Sequence, residues 1–436
     1  MTTVFDEQEL QERIALNEAR LRDDPYYQIG RVFSPADYEW YGDKEGRALL
    51  AFVSHYKIHG RKIPCMDEMM AQMSARTEGR LFFGPPAGAI LHEQQLSGHS
   101  WLLRGLCEYH EQFGSPLALR MIEAICREVY LPTKGRYHTY PTDRTPAAAG
   151  GVSGHTVGAT GGWKLSTDIG CAFMSIDGLS HAYLVLGDPD VKALLDEMIG
   201  VCLAIDKVAL RVQTHCTLTA ARGMMRLYAA LGDAAYRESA KAIYRLYTEG
   251  GGMTCTYQNI NWWCRYDTWT EPCAIVDSLM LAGELYRAEG DEAYRRTAAR
   301  IYHNGLASAQ RPNGGAGTDH VVSREAGGSD TLYSRLYEAP FCCTMRLAEG
   351  LWYCHRNRAL LGAQTTGRVT RQENGVYADG DLVYAEIRNA DPYLTEPTVT
   401  VDGHTLHPLL KYYRIPREAM EAIRQRILFD SDRSDT

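Results

Sequence analysis

Four residues able to bind a transition metal stand immediately before two apolar helical stretches. Glu271 and Cys273 lie in YDTWTEPCAIVDSLMLAGELY, and the vicinal pair Cys342 and Cys343 lies in YEAPFCCTMRLAEGLWYCH. Glu271 and Cys273 are two apart, so in an extended segment their side chains point the same way. A helix N-terminus favours ionised thiols, and three thiolates with one carboxylate form a tetrahedral donor set that suits zinc. Vicinal cysteines also occur at ordinary helix starts, so spacing alone leaves a metal site and a plain helix start both open.

The elements that must position these residues are helices joined in pairs. Apolar residues recur at intervals of three and four, and each periodic stretch ends at a glycine followed by Asp or Ser. Glycine can adopt the left-handed conformation that ends one helix, and Asp or Ser can cap the next. Four such hairpins are centred on Gly114, Gly187, Gly232 and Gly290. Their unequal spacing disfavours a fixed-period solenoid and predicts a mainly α fold, an α/α barrel or toroid of helical hairpins.

The sequence also contains three long loops, and its pattern changes from helical to β-hairpin near the C-terminus. The loops span residues 131–170, 248–272 and 310–343, and functional residues are expected there because connections on a rigid scaffold carry function. After residue 363, Asn-Gly and Asp-Gly pairs between alternating stretches predict β-hairpins. We therefore predict a barrel domain over 1–363 and a β-hairpin-rich segment over 364–436 that ends in a short helix.

Composition limits the choice of partners. The 436 residues carry 46 basic and 54 acidic side chains, and the net charge of −8 disfavours nucleic acid. No apolar run approaches the roughly 18 residues of a membrane span, and the charged N-terminal stretch differs from a secretion signal. We expect a cytoplasmic protein with a small, neutral or weakly charged substrate, and leave a homo-oligomer open.

The cysteine motifs resemble those of a known family. TEPCAIVDSLMLAGELY and FCCTMRLAEGL look like the Glu-x-Cys and Cys-Cys motifs of glycoside hydrolase family 127, the retaining β-L-arabinofuranosidases. This resemblance implies an (α/α)6 barrel followed by β-domains, acting on a small carbohydrate. It also implies that Glu271, Cys273, Cys342 and Cys343 hold Zn²⁺, with Cys342 as the catalytic nucleophile.

Further residues come from the same resemblance or from the long loops. The helices SGHSWLLRGLCEYHEQFG and RVQTHCTLTAARGMMRLYAALGD are similar to the two histidine-bearing helices of the family, which implies that His99 and His215 line a sugar pocket. Trp263, in the second loop, could stack on a sugar ring or form part of a folded loop core. His320, in the third loop, could bind substrate or serve as a hydrogen-bonded structural group.

The chain departs from the family pattern at the proton donor. The family carries a second Glu upstream of the zinc-binding Glu, whereas this chain has no Glu between Glu249 and Glu271. Asp267, Asp319 and Glu338 are the available carboxylates. Glu338, four residues before Cys342, is our first choice as general acid, and a solvated or ion-paired carboxylate is the alternative.

We therefore predict a zinc-dependent retaining glycosidase that acts on β-L-arabinofuranoside-like or related glycosides. Two other functions stay open at this point. A sugar or uronate lyase, hydratase or epimerase could use the same barrel with a structural zinc. A non-catalytic protein could use the zinc to tie two loops beside a carbohydrate-binding cleft.

Overall fold

The structure is a computed structural model. It describes residues 4–5, 7–33, 39–144, 153–254, 257–265, 268–319 and 338–364, together with six short strands between residues 370 and 416. His320, Asp267 and the helix predicted near the C-terminus lie outside the described residues.

Within the described residues, helices alternate between the inside and the outside of a ring. In chain order they are α1 (Glu7–Asp23), α2 (Asp43–His59), α3 (Met66–Arg76), α4 (Glu93–Phe113), α5 (Pro116–Ile125), α6 (Ser175–Leu186), α7 (Pro189–Ala204), α8 (Thr214–Leu231), α9 (Ala234–Glu249), α10 (Pro272–Glu289), α11 (Glu292–Arg300) and α12 (Met345–Arg356). Short helical turns at Pro25–Tyr27, Ile29–Val32 and Ala307–Ala309 lie between them.

The even-numbered helices form the inner ring. Each packs against the next, from α2 through α4, α6, α8 and α10 to α12, and α12 packs against α2 to close the circle. Each odd-numbered helix packs outside an inner helix, and α1 covers α12. The predicted (α/α)6 barrel is confirmed, and the contact between α12 and α2 closes its inner ring.

The predicted turns join the helical pairs. Gly187, Gly232 and Gly290 end α6, α8 and α10 with φ of 67°, 72° and 71°, a left-handed conformation that other residues adopt only with strain. The aspartate after each glycine caps the following helix, as where Asp188 accepts a hydrogen bond of 2.8 Å from the Asp190 backbone. All inner helices consequently begin at the same end of the barrel.

Glycines inside the inner helices allow those helices to approach closely. A Cβ on Gly46 of α2 would lie 2.3 Å from the backbone of Trp101 and Leu102 in α4. A Cβ on Gly105 of α4 would lie 2.4 Å from the carbonyl oxygen of Gly46. This contact draws α4 against α2 and fixes Trp101 beside the N-terminal half of α2.

The strands are short. They are β1 (Val4–Phe5), β2 (Leu91–His92), β3 (Thr156–Thr160), β4 (Trp163–Ser166), β5 (Ala363–Gln364), β6 (Thr370–Gln372), β7 (Val376–Asp379), β8 (Leu382–Glu386), β9 (Val399–Val401), β10 (His404–Leu406) and β11 (Tyr412–Pro416). The sheets are ordered β2-β4-β3, β11-β8-β7-β6, β10-β9 and β1-β5. The antiparallel pairs β6-β7 and β9-β10 confirm the two predicted hairpins, whereas the domain boundary at residue 363 stays a prediction. Among the described helices, none has the length and apolarity that a bilayer span requires.

Candidate metal centre and active site

The four predicted ligands meet at the N-terminal ends of two neighbouring inner helices. Glu271 is the residue before α10 and Cys273 is its second residue. Cys342 and Cys343 lie in the π-helical turn Pro340–Thr344, which continues into α12. One donor atom from each residue lies within 4.8 Å of the other three.

The spacing of the sulfurs fits a tetrahedral ion. Sγ of Cys343 lies 3.7 Å from Sγ of Cys273 and 3.4 Å from Sγ of Cys342. A zinc ion with bonds of about 2.3 Å to sulfur places two ligand sulfurs about 3.8 Å apart, whereas a disulfide places them about 2.05 Å apart. The cluster therefore has donor types and spacing suited to a metal ion.

Cys342 is the accessible thiol of the cluster. Cys273 is 0% exposed and Cys343 is 1% exposed, whereas Cys342 is partly exposed. Hydrogen bonds from Cys273 and Cys343 lower the pKa of Cys342 below its usual value. Burial instead raises the pKa of Cys273 to about 11, although Arg47 places Nη1 3.7 Å from its sulfur. A molecule that enters the site would reach Cys342 before the other two cysteines.

Amide side chains hold Glu271. Gln213 donates from Nε2 to Oε2 of Glu271 at 3.3 Å. Asn261, with its amide nitrogen facing the carboxylate, donates to the same oxygen at 2.7 Å. The Glu271 backbone N–H donates to Oδ1 of Asn259 at 2.6 Å. The other carboxylate oxygen of Glu271, Oε1, faces His215.

His215 lies between two carboxylates. Its Nδ1 is 3.1 Å from Oε1 of Glu271, and its Nε2 is 3.4 Å from Oδ2 of Asp277. Burial acts to lower the pKa of His215, but the two carboxylates outweigh it and raise the pKa to about 10. The structure thus places His215 beside the four-residue cluster, in contact with Glu271. Its contact with sugar stays a prediction.

Trp101 of α4 forms the floor of the site. Its ring is stacked on the imidazole of His215 at a centroid distance of 5.8 Å. The guanidinium carbons of Arg47 and Arg346 lie 3.9 Å and 4.6 Å from the ring centroid. Cation–π contacts of this kind hold buried guanidinium groups in place. Sequence reasoning did not single out Trp101.

Asp168 is a second residue that sequence reasoning did not single out. It follows β4 in the first long loop and is 4% exposed. Ser153 donates to its carboxylate at 2.9 Å, and the Gly154 backbone N–H donates at 3.1 Å. The adjacent residue Ile169 accepts a hydrogen bond of 2.9 Å from the backbone of Gln213, which places this loop beside the residues that hold Glu271.

Asp168 differs from an ordinary carboxyl in its proton affinity. Burial, and after it the charge of Glu271, raises the pKa of Asp168 to about 7. A carboxyl with that pKa is partly protonated at neutral pH and can donate or accept a proton. Its presence in one of the three long loops was the only sequence signal.

Glu338 is held by partners away from the sulfurs. Both of its carboxylate oxygens accept hydrogen bonds from Nη2 of Arg20, at 2.7 and 2.9 Å. Asn313 donates to the same carboxylate at 2.9 Å. Glu338 therefore connects α1 to the segment that precedes Cys342, and its role as general acid stays a prediction without support from these contacts.

The remaining predicted substrate contacts have buried surroundings. Trp263 is 0% exposed and donates its indole N–H to Oγ1 of Thr217 at 3.3 Å, so it forms part of a loop core. His99 is 0% exposed, and its Nδ1 lies 2.9 Å from the backbone oxygen of Gln95. Burial lowers the pKa of His99 to about 4. In this arrangement neither ring faces an open cleft, and sugar binding by these two residues stays a prediction.

The fold agrees in class with that of α/α-barrel glycosidases. The chain is similar in structure to the unsaturated glucuronyl hydrolase from Streptococcus agalactiae, with a TM-score of 0.54, 11% identity, and coverage of 80% of this chain and 92% of that one. It is also similar to a GH127 β-L-arabinofuranosidase from Geobacillus stearothermophilus T6, with a TM-score of 0.53, 13% identity, and coverage of 91% and 72%. Likeness at these identities establishes the barrel fold alone.

The family match falls on the segment that carries the cluster. Residues 203–356 match the GH127 catalytic domain of β-L-arabinofuranosidases. The resemblance seen in the sequence is confirmed over this segment, and the match supports a glycoside hydrolase while leaving its substrate open. A GH127 β-arabinofuranosidase structure has a TM-score of 0.51 and 14% identity over 93% of this chain, which spans only 65% of that protein's length. No curated protein sequence matches the chain.

Proposed function

We propose that the protein is a zinc-dependent retaining glycosidase that acts on β-L-arabinofuranosides or related glycosides, with Cys342 as its nucleophile. The observation that carries this proposal is the one accessible thiol within a Cys₃Glu cluster of tetrahedral spacing. Zinc at these four donors would keep the sulfurs ionised and make Cys342 a better leaving group. The GH127 match over residues 203–356 supports the same class of reaction.

The proposed reaction is a double displacement, in which residues of the chain supply the nucleophile and the proton donor. Sγ of Cys342 forms a bond to the anomeric carbon, while the bond from that carbon to the leaving-group oxygen breaks. The leaving oxygen takes a proton from an acid on the protein. In the second half, water bonds to the anomeric carbon, its proton passes to the same carboxylate, and the carbon–sulfur bond breaks. Two inversions at one carbon retain its configuration.

We assign the proton transfers to Asp168 in place of Glu338. Asp168 has a pKa of about 7, so it can be protonated in the first half-reaction and ionised in the second. Glu338 is instead paired with the guanidinium of Arg20. Sequence proximity to Cys342 favoured Glu338, whereas burial and the charge of Glu271, which together raise the pKa of Asp168, favour Asp168.

The test combines metal analysis with a panel of aryl furanosides and aryl pyranosides. We expect about one zinc per chain and hydrolysis of at least one furanoside with retained configuration. Cys342→Ser should abolish that hydrolysis. Cys354→Ala is the matched control, because Cys354 lies on the same helix α12, is 1% exposed and stands outside the cluster.

Each alternative function has its own outcome in this test. Hydrolysis that survives Cys342→Ser would exclude the thiolate nucleophile. An unsaturated or epimerised sugar product would indicate the lyase or epimerase function. Sugar binding without any product would indicate a carbohydrate-binding protein.

A further inference from the structure

Asp277 occupies the centre of a buried charge network one helical turn below the cluster. It is 0% exposed and lies four residues after Cys273 in α10, on the same helical face. Its Oδ1 accepts hydrogen bonds from Nη2 of Arg346 and, at 3.2 Å, from Nη1 of Arg222. Its Oδ2 accepts a hydrogen bond of 2.6 Å from Thr219.

The contact between Asp277 and Arg346 joins the two helices that supply the cysteines. Arg346 follows Cys343 by three residues, and both contact α10, Cys343 through Cys273 and Arg346 through Asp277. Arg346 is 0% exposed, as is Asp277. An ion pair buried at this depth is screened little by solvent and fixes the distance between the helix starts.

A second contact connects Asp277, through His215, to Glu271, the fourth predicted ligand. Oδ2 of Asp277 lies 3.4 Å from Nε2 of His215, whose Nδ1 lies 3.1 Å from Oε1 of Glu271. The imidazole stacks on the ring of Trp101, and its rotation would break that contact. Asp277 thus contacts an arginine on the helix that follows the cysteine pair and a histidine that contacts Glu271.

We propose that Asp277 is a positioning residue for the metal centre, which it holds in a tetrahedral arrangement through Arg346 and His215. The inference rests on the proposed function, in which the four ligands bind zinc. Groups that hydrogen-bond to metal ligands typically change metal affinity by about 10–100-fold when they are removed. Asp277 does not contact the four residues of the cluster directly. It acts through Arg346 on the side of the cysteine pair and through His215 on the side of Glu271.

The experiment measures the zinc dissociation constant of the full-length chain by competition with a chelating dye. Asp277→Asn should weaken zinc binding by about 10-fold or more. Asp177→Asn is the matched control, because Asp177 is also 0% exposed on an inner helix and pairs with two arginines, Arg104 at 3.1 Å and Arg226 at 2.8 Å. Those arginines do not contact the zinc ligands, so we expect Asp177→Asn to bind zinc within about threefold of the unmodified chain.

A second readout is the absorption spectrum of the chain loaded with cobalt(II), which reports the coordination geometry directly. We expect Asp277→Asn to change that spectrum and Asp177→Asn to leave it unchanged. Should Asp277→Asn not fold, Thr219→Val decides, since it removes the hydroxyl that lies 2.6 Å from Oδ2 of Asp277 and 2.9 Å from the backbone oxygen of His215, and it should weaken zinc binding several-fold.

The outcomes separate this inference from the proposed function. Unchanged zinc affinity and cobalt spectrum in Asp277→Asn, or in Thr219→Val if that variant alone folds, would overturn the positioning role. Equal weakening by Asp277→Asn and Asp177→Asn would overturn it as well, because barrel stability would then be the cause. An unmodified chain that binds no zinc would overturn the proposed metal centre itself.

Discussion

Replacing Glu338 by Gln should lower stability while leaving catalysis nearly intact. The carboxylate accepts two hydrogen bonds from Arg20, and the two side chains are 11% and 23% exposed. A hydrogen bond to a charged group contributes about 1.5–3 kcal/mol, and partial exposure reduces that value. The Gln amide oxygen can still accept one of the bonds. We therefore expect Glu338→Gln to reduce the free energy of unfolding by about 1–2 kcal/mol.

The assay pairs denaturant unfolding with hydrolysis of aryl glycosides whose leaving groups range from good to poor. Glu338→Gln should keep kcat within about threefold for every leaving group, because removal of a general acid costs about 10²–10⁴-fold and appears mainly with poor ones. Arg20→Met should cause a similar loss of stability, and the double variant should lose less than the sum. A fall of about 100-fold or more in kcat with poor leaving groups, at unchanged stability, would refute this reasoning and restore Glu338 as the acid.

Three further predictions concern the nucleophile, the acid and the response to low pH. Cys342→Ala should still fold, as measured by circular dichroism. It should form no covalent adduct with a reactive furanoside analogue, as measured by mass spectrometry. An adduct at the same stoichiometry as in the unmodified chain would argue against Cys342 as the nucleophile. Asp168→Asn should lower kcat/KM by about 100-fold or more for substrates with poor leaving groups. In the unmodified chain we expect the rate to decline above about pH 7, because Asp168, with its raised pKa, is then ionised. Asp168→Asn should abolish that decline. A pH profile unchanged by Asp168→Asn would exclude that assignment. Burial lowers the pKa of His99 to about 4, so this histidine contributes stability at pH 7 that is lost as the pH falls from 6.5 toward 4, amounting to about 2 kcal/mol at pH 5. Equal unfolding free energies at pH 7 and pH 5 would contradict this last prediction.

Local features of the fold were predictable from the sequence because their causes are local. A glycine followed by Asp188, Asp233 or Asp291 specifies the end of one helix and the cap of the next, and all three turns form as expected. The contact between α1 and α12 was not predictable in this way. Nothing in α1 itself indicates that it packs outside α12, more than three hundred residues later in the chain.

The site was predictable where residue type alone carries the chemistry. The cysteines and Glu271 could be recognised because few side chains bind zinc and a helix start brings them together. Asp168 and Asp277 could not be recognised, since a carboxylate in a loop or on a helix is common and only burial and neighbours distinguish these two. Glu338 was favoured by its closeness to Cys342 along the chain, whereas its side chain lies against Arg20.

The packing of α1 against α12 forms a seam in the barrel between two described helices that lie more than three hundred residues apart in the sequence. The turn that bears Cys342 lies at this seam, since Tyr27, just beyond α1, donates a hydrogen bond of 3.0 Å to the carbonyl of Pro340. The helices α10 and α12, which begin at the cluster, are neighbours in the ring. The wall around Cys342 therefore depends on a contact between two segments that lie far apart in the sequence.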